Sequence, residues 1–234
     1  AFGAREEFLT VLEELGFEVV EETAVVLPAL IRERLRLLEL FPGPLISTSC
    51  PRVVSLVEEE YPDLVACLAP LVSPMAAHAR WLKARYGPCH VTFVGPCRAK
   101  KEEALRPGAR GFVDEVLTFA ELRRGRSARR GGKAFSFFPA PPAVRLSVLS
   151  WEAAGEEAVR RALASLRARA AETRFLELLM CEGGCVRGPG MPRRISLEES
   201  CARVLSYADR ADAAPAREEI PRELLYRQDA TIRR

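Results

Sequence analysis

The chain has 234 residues, 48% of them hydrophobic and 29% charged, with a formal net charge of +3. That length suits one large domain or two small lobes, and charge so nearly balanced makes no case for nucleic-acid binding. No signal peptide and no apolar run of membrane-spanning length is visible, so a cytoplasmic protein without a membrane partner is expected. The predicted elements alternate along the chain. "REEFLTVLEELG" has the spacing of an amphipathic helix, with Phe8, Val11, Leu12 and Leu15 on one face and Gly16 as its stop. "FEVVEE" follows as a strand and "LPALIRERLRLLEL" as a second helix. "PLIST" is a strand running into Ser49-Cys50-Pro51, and Pro51 suits the first turn of the helix "RVVSLVEEEY". Ser73-Pro74 repeats that arrangement before "MAAHARWLKARYG". "HVTFVG" is a strand ending at Pro96-Cys97, with a helix of "AKKEEAL" after it.

"FVDEVLT" and "VRLSVLSW" are the next strands, and the basic-then-proline-rich stretch between them is expected to be a helix end and a long loop. "GEEAVRRALASLRARAAE" is a helix, "RFLELLM" a strand, and Ser196 with Glu199 a capping box for a last helix before a polar tail. Strands alternating with helices imply an α/β fold of parallel sheets flanked by helices.

The seven cysteines are Cys50, Cys67, Cys89, Cys97, Cys181, Cys185 and Cys201. An odd number without an export signal argues against a disulfide framework and for a reducing compartment. Cys50, Cys97 and the pair Cys181/Cys185 each follow a predicted strand. In parallel α/β folds ligands gather at the carboxyl ends of strands, so these four cysteines can converge. Thiolates suit iron–sulfur clusters or zinc, although zinc more often takes a C-x-x-C pair than the C-x-x-x-C found here. Gly183, Gly184, Gly188 and Gly190 would let backbone approach a cluster closely. A single cysteine after a strand is more often a small buried hydrophobe, and Cys67, Cys89 and Cys201 are expected to be packing residues. His78 and His90 are expected to be structural. Residues 123–133, "RRGRSARRGGK", have no interleaved aromatics and fit a solvated loop better than a nucleic-acid patch.

"TSCP" at 48–51, "GPCRAKKEE" at 95–103 and "FLELLMCEGGCVRGPGMP" at 175–192 occur in that order. Together they resemble the three signature motifs of the catalytic, H-cluster domain of [FeFe]-hydrogenases. The resemblance extends from about residue 5 to 192 and includes "EEYPDLVACLAPLVSPMAAHAR". It implies two lobes with parallel sheets and the cluster held between them. The expected lobes are 1–110 and 111–192, with a C-terminal helix and tail at 193–234, in a single domain lacking the family's N-terminal alanine-proline segment. It implies that Cys50, Cys97, Cys181 and Cys185 hold a [4Fe–4S] cluster. Cys185 would bridge to a diiron subsite carrying CO, cyanide and a dithiolate. Lys100 would hydrogen-bond one cyanide, and Ser73 would lie near the other; a buried ammonium beside an anion makes a charge-assisted bond. The remaining pocket positions are Gly95, Pro96, Met75, Leu179, Gly183 and Gly184. The implied chemistry is H2 oxidation or proton reduction, with the cofactor carrying the hard step.

Several residues depart from that family's pattern. Ser49 stands where a proton-donating cysteine is usual, and serine is a far poorer acid. The serine and glutamates further along the relay appear as Ala69 and as apolar or basic residues in "LPALIRERL". Usual methionines are Gly95 and Leu179, and a usual glutamine is Met75. Such losses resemble the branch of the family read as sensory. A hydrogenase of low turnover is therefore expected, sensing H2 or redox state, with electron-transfer or signalling domains and maturation proteins as partners. The alternative is a non-catalytic [4Fe–4S] protein resembling the hydrogenase-like Fe–S assembly factors.

Overall fold

The computed structural model describes residues 5–124, 132–136, 150–168, 173–191, 195–210 and 219–227. Helix α1 (Arg5–Glu14) leads into β1 (Phe17–Glu22), then α2 (Leu27–Leu40) and the two-residue β2 (Leu45–Ile46). Next come α3 (Pro51–Glu60), α4 (Pro74–Tyr86), β3 (Val91–Gly95), the single turn α5 (Lys100–Glu103), β4 (Glu115–Thr118) and α6 (Phe119–Arg123). Then β5 (Gly132–Ser136), β6 (Ser150–Ala154), α7 (Glu156–Arg167), β7 (Phe175–Leu179) and α8 (Leu197–Arg210) complete the set. The boundaries have local causes. Pro51 and Pro74 open α3 and α4, where a missing N–H costs nothing. Thr118 and Glu121 form a reciprocal capping box on α6. Ser196 accepts the Glu199 N–H at 3.0 Å ahead of α8.

The strands form two sheets, in the orders β1-β5-β3-β4 and β2-β7-β6. Every pair within them is parallel. The first sheet is covered on both faces, as parallel sheets are. Phe93 and Val116 join Leu30, Leu37, Met75 and Leu82 of α2 and α4 in one core. Their neighbours Val94 and Leu117 point the other way, to Leu12, Phe119 and Leu122 of α1 and α6. The second sheet packs Leu176 and Leu178 against Val53 and Val57 of α3 and Val159 and Leu163 of α7.

The parallel α/β architecture expected from the sequence is present, but its division near residue 110 is not. Each sheet takes strands from both sides of that point. Parallel neighbours need long crossover connections, so adjacent strands come from distant sequence. A second correction concerns the expected long loop, which contains β5. That strand pairs with β1 on one side and β3 on the other, so tertiary pairing overrides the weak local signal of "GKAFS". The rest of the basic stretch, at 125–131, and the strand expected at 144–149 lie outside the described residues. The third correction concerns the polar tail. Ile220 and Leu225 are buried in the first core, and Tyr226 bridges Leu71. Arg80 donates to the carbonyls of Leu224 and Tyr226 at 3.2 and 2.7 Å. Among the described residues no helix is long and apolar enough to cross a membrane.

Candidate metal centre

Cys50 caps α3 in an extended conformation, and its carbonyl accepts the N–H groups of Val53 and Val54. Cys97 follows β3, and the backbone N–H groups of Ala99 and Lys100 donate to its sulfur. Cys181 and Cys185 follow β7. Between them Gly183 and Gly184 take left-handed φ values of 71° and 78°, a region glycine enters without cost. The Gly184 N–H closes the turn onto the Cys181 carbonyl at 2.9 Å.

The four thiols influence one another. Burial pushes the Cys185 thiol up to about 12, and Cys50, Cys97 and Cys181 push it in the same direction while Lys100 opposes them. Cys97 is likewise raised, by burial first, with Lys100 opposing and Cys50 adding. Without metal, Cys185 therefore stays protonated at neutral pH, and a metal must displace that proton. Among the described residues no three His, Cys, Asp or Glu side chains are close enough to hold a single metal ion. Four thiols with a C-x-x-x-C pair among them are the donor chemistry of an iron–sulfur cluster, whereas zinc more often takes C-x-x-C pairs.

The glycines downstream serve a purpose not foreseen in the sequence. A Cβ at Gly188 would stand 2.6 Å from the Pro96 carbonyl oxygen, and one at Gly190 would stand 2.8 Å from it and 2.7 Å from the Thr118 Cβ. The Gly190 N–H donates to that same carbonyl at 2.7 Å, and its own carbonyl accepts from Ala120 at 3.0 Å. These two glycines thus allow the third motif to dock on the second. Gly95 is also constrained: a Cβ there would lie 2.6 Å from the Phe93 ring.

Lys100 is 8% exposed. Its ammonium donates to Glu103 Oε2 at 2.6 Å and to the Ser49 carbonyl at 3.1 Å. An ammonium has three N–H groups, so one is left for a further acceptor. The Ser49 hydroxyl faces a different partner. Arg34 Nη2 donates to it at 2.7 Å, Ser47 Oγ lies 3.0 Å away, and Arg34 Nη1 pairs with Glu177 Oε2 at 3.0 Å. Arg34, Ser47 and Glu177 were not identified from the sequence. The available signals were a glutamate inside the apolar strand "FLELL" and serines at alternate positions leaving β2.

Beside this centre lies a cleft of about 220 Å³ whose lining includes Thr48, Val72, Ser73, Ala76, Glu103 and Arg106. Ser73 is buried there and caps α4 through the Ala76 N–H at 3.4 Å. Met75 does not line the cleft and is buried in the first core. Leu179 is half-buried at the end of β7, next to the ligand loop, with its Cδ1 against Gly184.

None of the seven cysteines is in a disulfide. Cys67 packs on the second core and Cys89 on the first. Cys201 is exposed, which corrects its expected packing role, because it falls on the outer face of α8. His78 is fully buried against Glu21, and His90 lies 3.9 Å from Glu115.

The sequence matches the family described as iron only hydrogenase large subunit, C-terminal domain, over residues 3–126 and 145–189. The chain belongs to that family. Solved structures agree on the fold. An [FeFe]-hydrogenase reported for stepwise H-cluster assembly superposes with a TM-score of 0.68 at 18% identity, covering 94% of this chain and 82% of that one. A glutamate-to-alanine variant of the [FeFe]-hydrogenase HydA1 from Chlamydomonas reinhardtii gives 0.67 at 19% identity with the same coverage. A structure reported for oxygen inactivation of the H-cluster's 2Fe subcluster gives 0.66 at 18% identity, with coverage of 94% and 82%. No curated protein matches the chain. As a hydrogenase-family domain, the chain carries the family's parallel α/β scaffold.

Proposed function

We propose that this hydrogenase-family domain holds a [4Fe–4S] cluster on Cys50, Cys97, Cys181 and Cys185. In matured protein it would hold the complete H-cluster, with a diiron subsite bridged at Cys185. The mutual influence of the four thiols supports the cluster site. The buried Lys100, with an N–H to spare, supports the diiron unit, since a plain cluster needs no cation partner for cyanide. When bound, the H-cluster supplies heterolytic H2 cleavage and proton reduction.

We further propose that turnover is slow and that the domain senses H2 or redox state, passing the signal to electron-transfer or signalling domains. A single observation carries this reading. The Ser49 hydroxyl, at the position of the usual proton donor, is tied to Arg34 and Ser47. An alcohol is already a weak acid, and the arginine that donates to its oxygen does not release its own proton in the working pH range, so it cannot reprotonate the hydroxyl. The test uses protein matured with its diiron unit. Infrared bands of bound CO and cyanide are expected, together with H2 turnover far below that of a prototypical hydrogenase. Comparable turnover would overturn the sensory reading. Cluster iron without those bands would favour the non-catalytic [4Fe–4S] alternative.

A further inference from the structure

Arg34 comes from α2, 15 residues before Ser49, and reaches both the residue next to Cys50 and, 143 residues on, Glu177 of β7. Its guanidinium is shared between Ser49 Oγ at 2.7 Å and Glu177 Oε2 at 3.0 Å. The side chain is only 14% exposed and Glu177 only 15%. The guanidinium also lies 5.6 Å from the Phe175 ring centroid. Held on three sides, it has little freedom to turn away. An arginine stays charged throughout the working pH range, so this is a fixed positive charge.

We propose that Arg34 is a positioning residue that holds the Ser49–Cys50 turn and raises the reduction potential of the cluster bound there. The inference rests on the cluster-binding reading above and goes beyond it. Reduction of a [4Fe–4S] cluster adds one electron to an already anionic group. A nearby cation with poor access to water stabilises the added charge, and net charge is among the factors that set such potentials. Glu177 works in the opposite direction. Glu177 meets the Ser49–Cys50 turn only through the guanidinium, which itself bonds the residue beside the ligand, so we assign the prevailing sign to the cation.

The experiment is a redox titration, followed by electron paramagnetic resonance, of the chain reconstituted with iron and sulfide alone. Arg34→Gln removes the charge and keeps a polar side chain. Its potential is expected to fall enough to raise the oxidised-to-reduced ratio at fixed poise about tenfold, which is 59 mV for one electron. Arg34→Lys is expected to stay near the parent, and Glu177→Gln to shift upward. A brace with no electrostatic role would move all three variants in the same direction or none of them, and either result would overturn the proposal. If Arg34→Gln does not fold, Arg34→Lys and Glu177→Gln carry the test: an unshifted or lowered Glu177→Gln potential refutes it. Failure of the parent chain to take up any cluster would instead bring down the cluster reading, and this inference with it.

Discussion

The two sheets approach the four cysteines by different means. On the side of the first sheet, Cys97 leaves β3 and is held by the N–H groups of Ala99 and Lys100. The buried ion pair beside it, Lys100–Glu103, spans three residues of a single turn. On the side of the second sheet, Cys50, Cys181 and Cys185 leave β2 and β7, and the polar support is long-range. Arg34 reaches Glu177 across 143 positions of sequence. Support built from backbone and near neighbours is written into a short motif. Support built from distant side chains is visible only once the chain has folded.

The largest effect that would break this comparison is at the ligands. Cys185→Ala is expected to bring iron in the reconstituted protein down to background, while Cys201→Ala, on the exposed side of α8, leaves it unchanged. Iron assay with visible absorbance checks both. Next comes the short-range pair. Lys100→Met leaves the buried Glu103 carboxylate without a partner and is expected to cost about 3 kcal/mol of stability. Adding Glu103→Leu is expected to recover most of it, as measured by urea unfolding. On the docking side, Gly190→Ala puts a methyl group within 2.8 Å of the Pro96 oxygen. That overlap is with backbone, so a loss of about 1–3 kcal/mol and weaker iron retention are expected.

A smaller effect is pH-dependent. Burial lowers the pKa of His78 despite Glu21. Burial would raise Glu21, but the hydrogen bonds from His78 and Tyr86 outweigh it and keep the carboxyl low. The fold therefore favours neutral His78 and ionised Glu21, and the unfolded chain binds more protons in acid. Stability is fully present above the free histidine value of about 6.5 and declines as pH falls below it. Urea midpoints at pH 8 and pH 5.5 check the sign, and His78→Gln is expected to flatten the difference. The smallest effect is at the surface. Arg160 pairs with Glu60 and Glu156 in open solvent, and Arg160→Ala is expected to leave the melting temperature unchanged.

The local part of the fold was legible in the sequence. The helix expected at "LPALIRERLRLLEL" is Leu27–Leu40, and the strands before Cys97 and Cys181 are where alternating and apolar runs put them. Each of those signals depends on neighbours a few residues apart. The strand β5 was missed because its stability comes from β1 and β3 on either edge, not from "GKAFS". Arg34 was missed because nothing in a helix of alternating arginines and leucines tells which arginine turns inward. The tail was misread because Ile220 and the short run Leu224-Leu225-Tyr226 are brief apolar breaks in a charged stretch, and only their packing on the first core gives them value. Four cysteines could be grouped from strand ends and motif order; the network behind Ser49 could not.

The backbone bond from Gly190 to the Pro96 carbonyl forms between two stretches of polypeptide and needs no inorganic partner. Part of the entropy of closing the long chain between Cys97 and Cys185 is therefore offset by a contact of the polypeptide with itself, so the second and third motifs are joined by backbone as well as by any shared ligand.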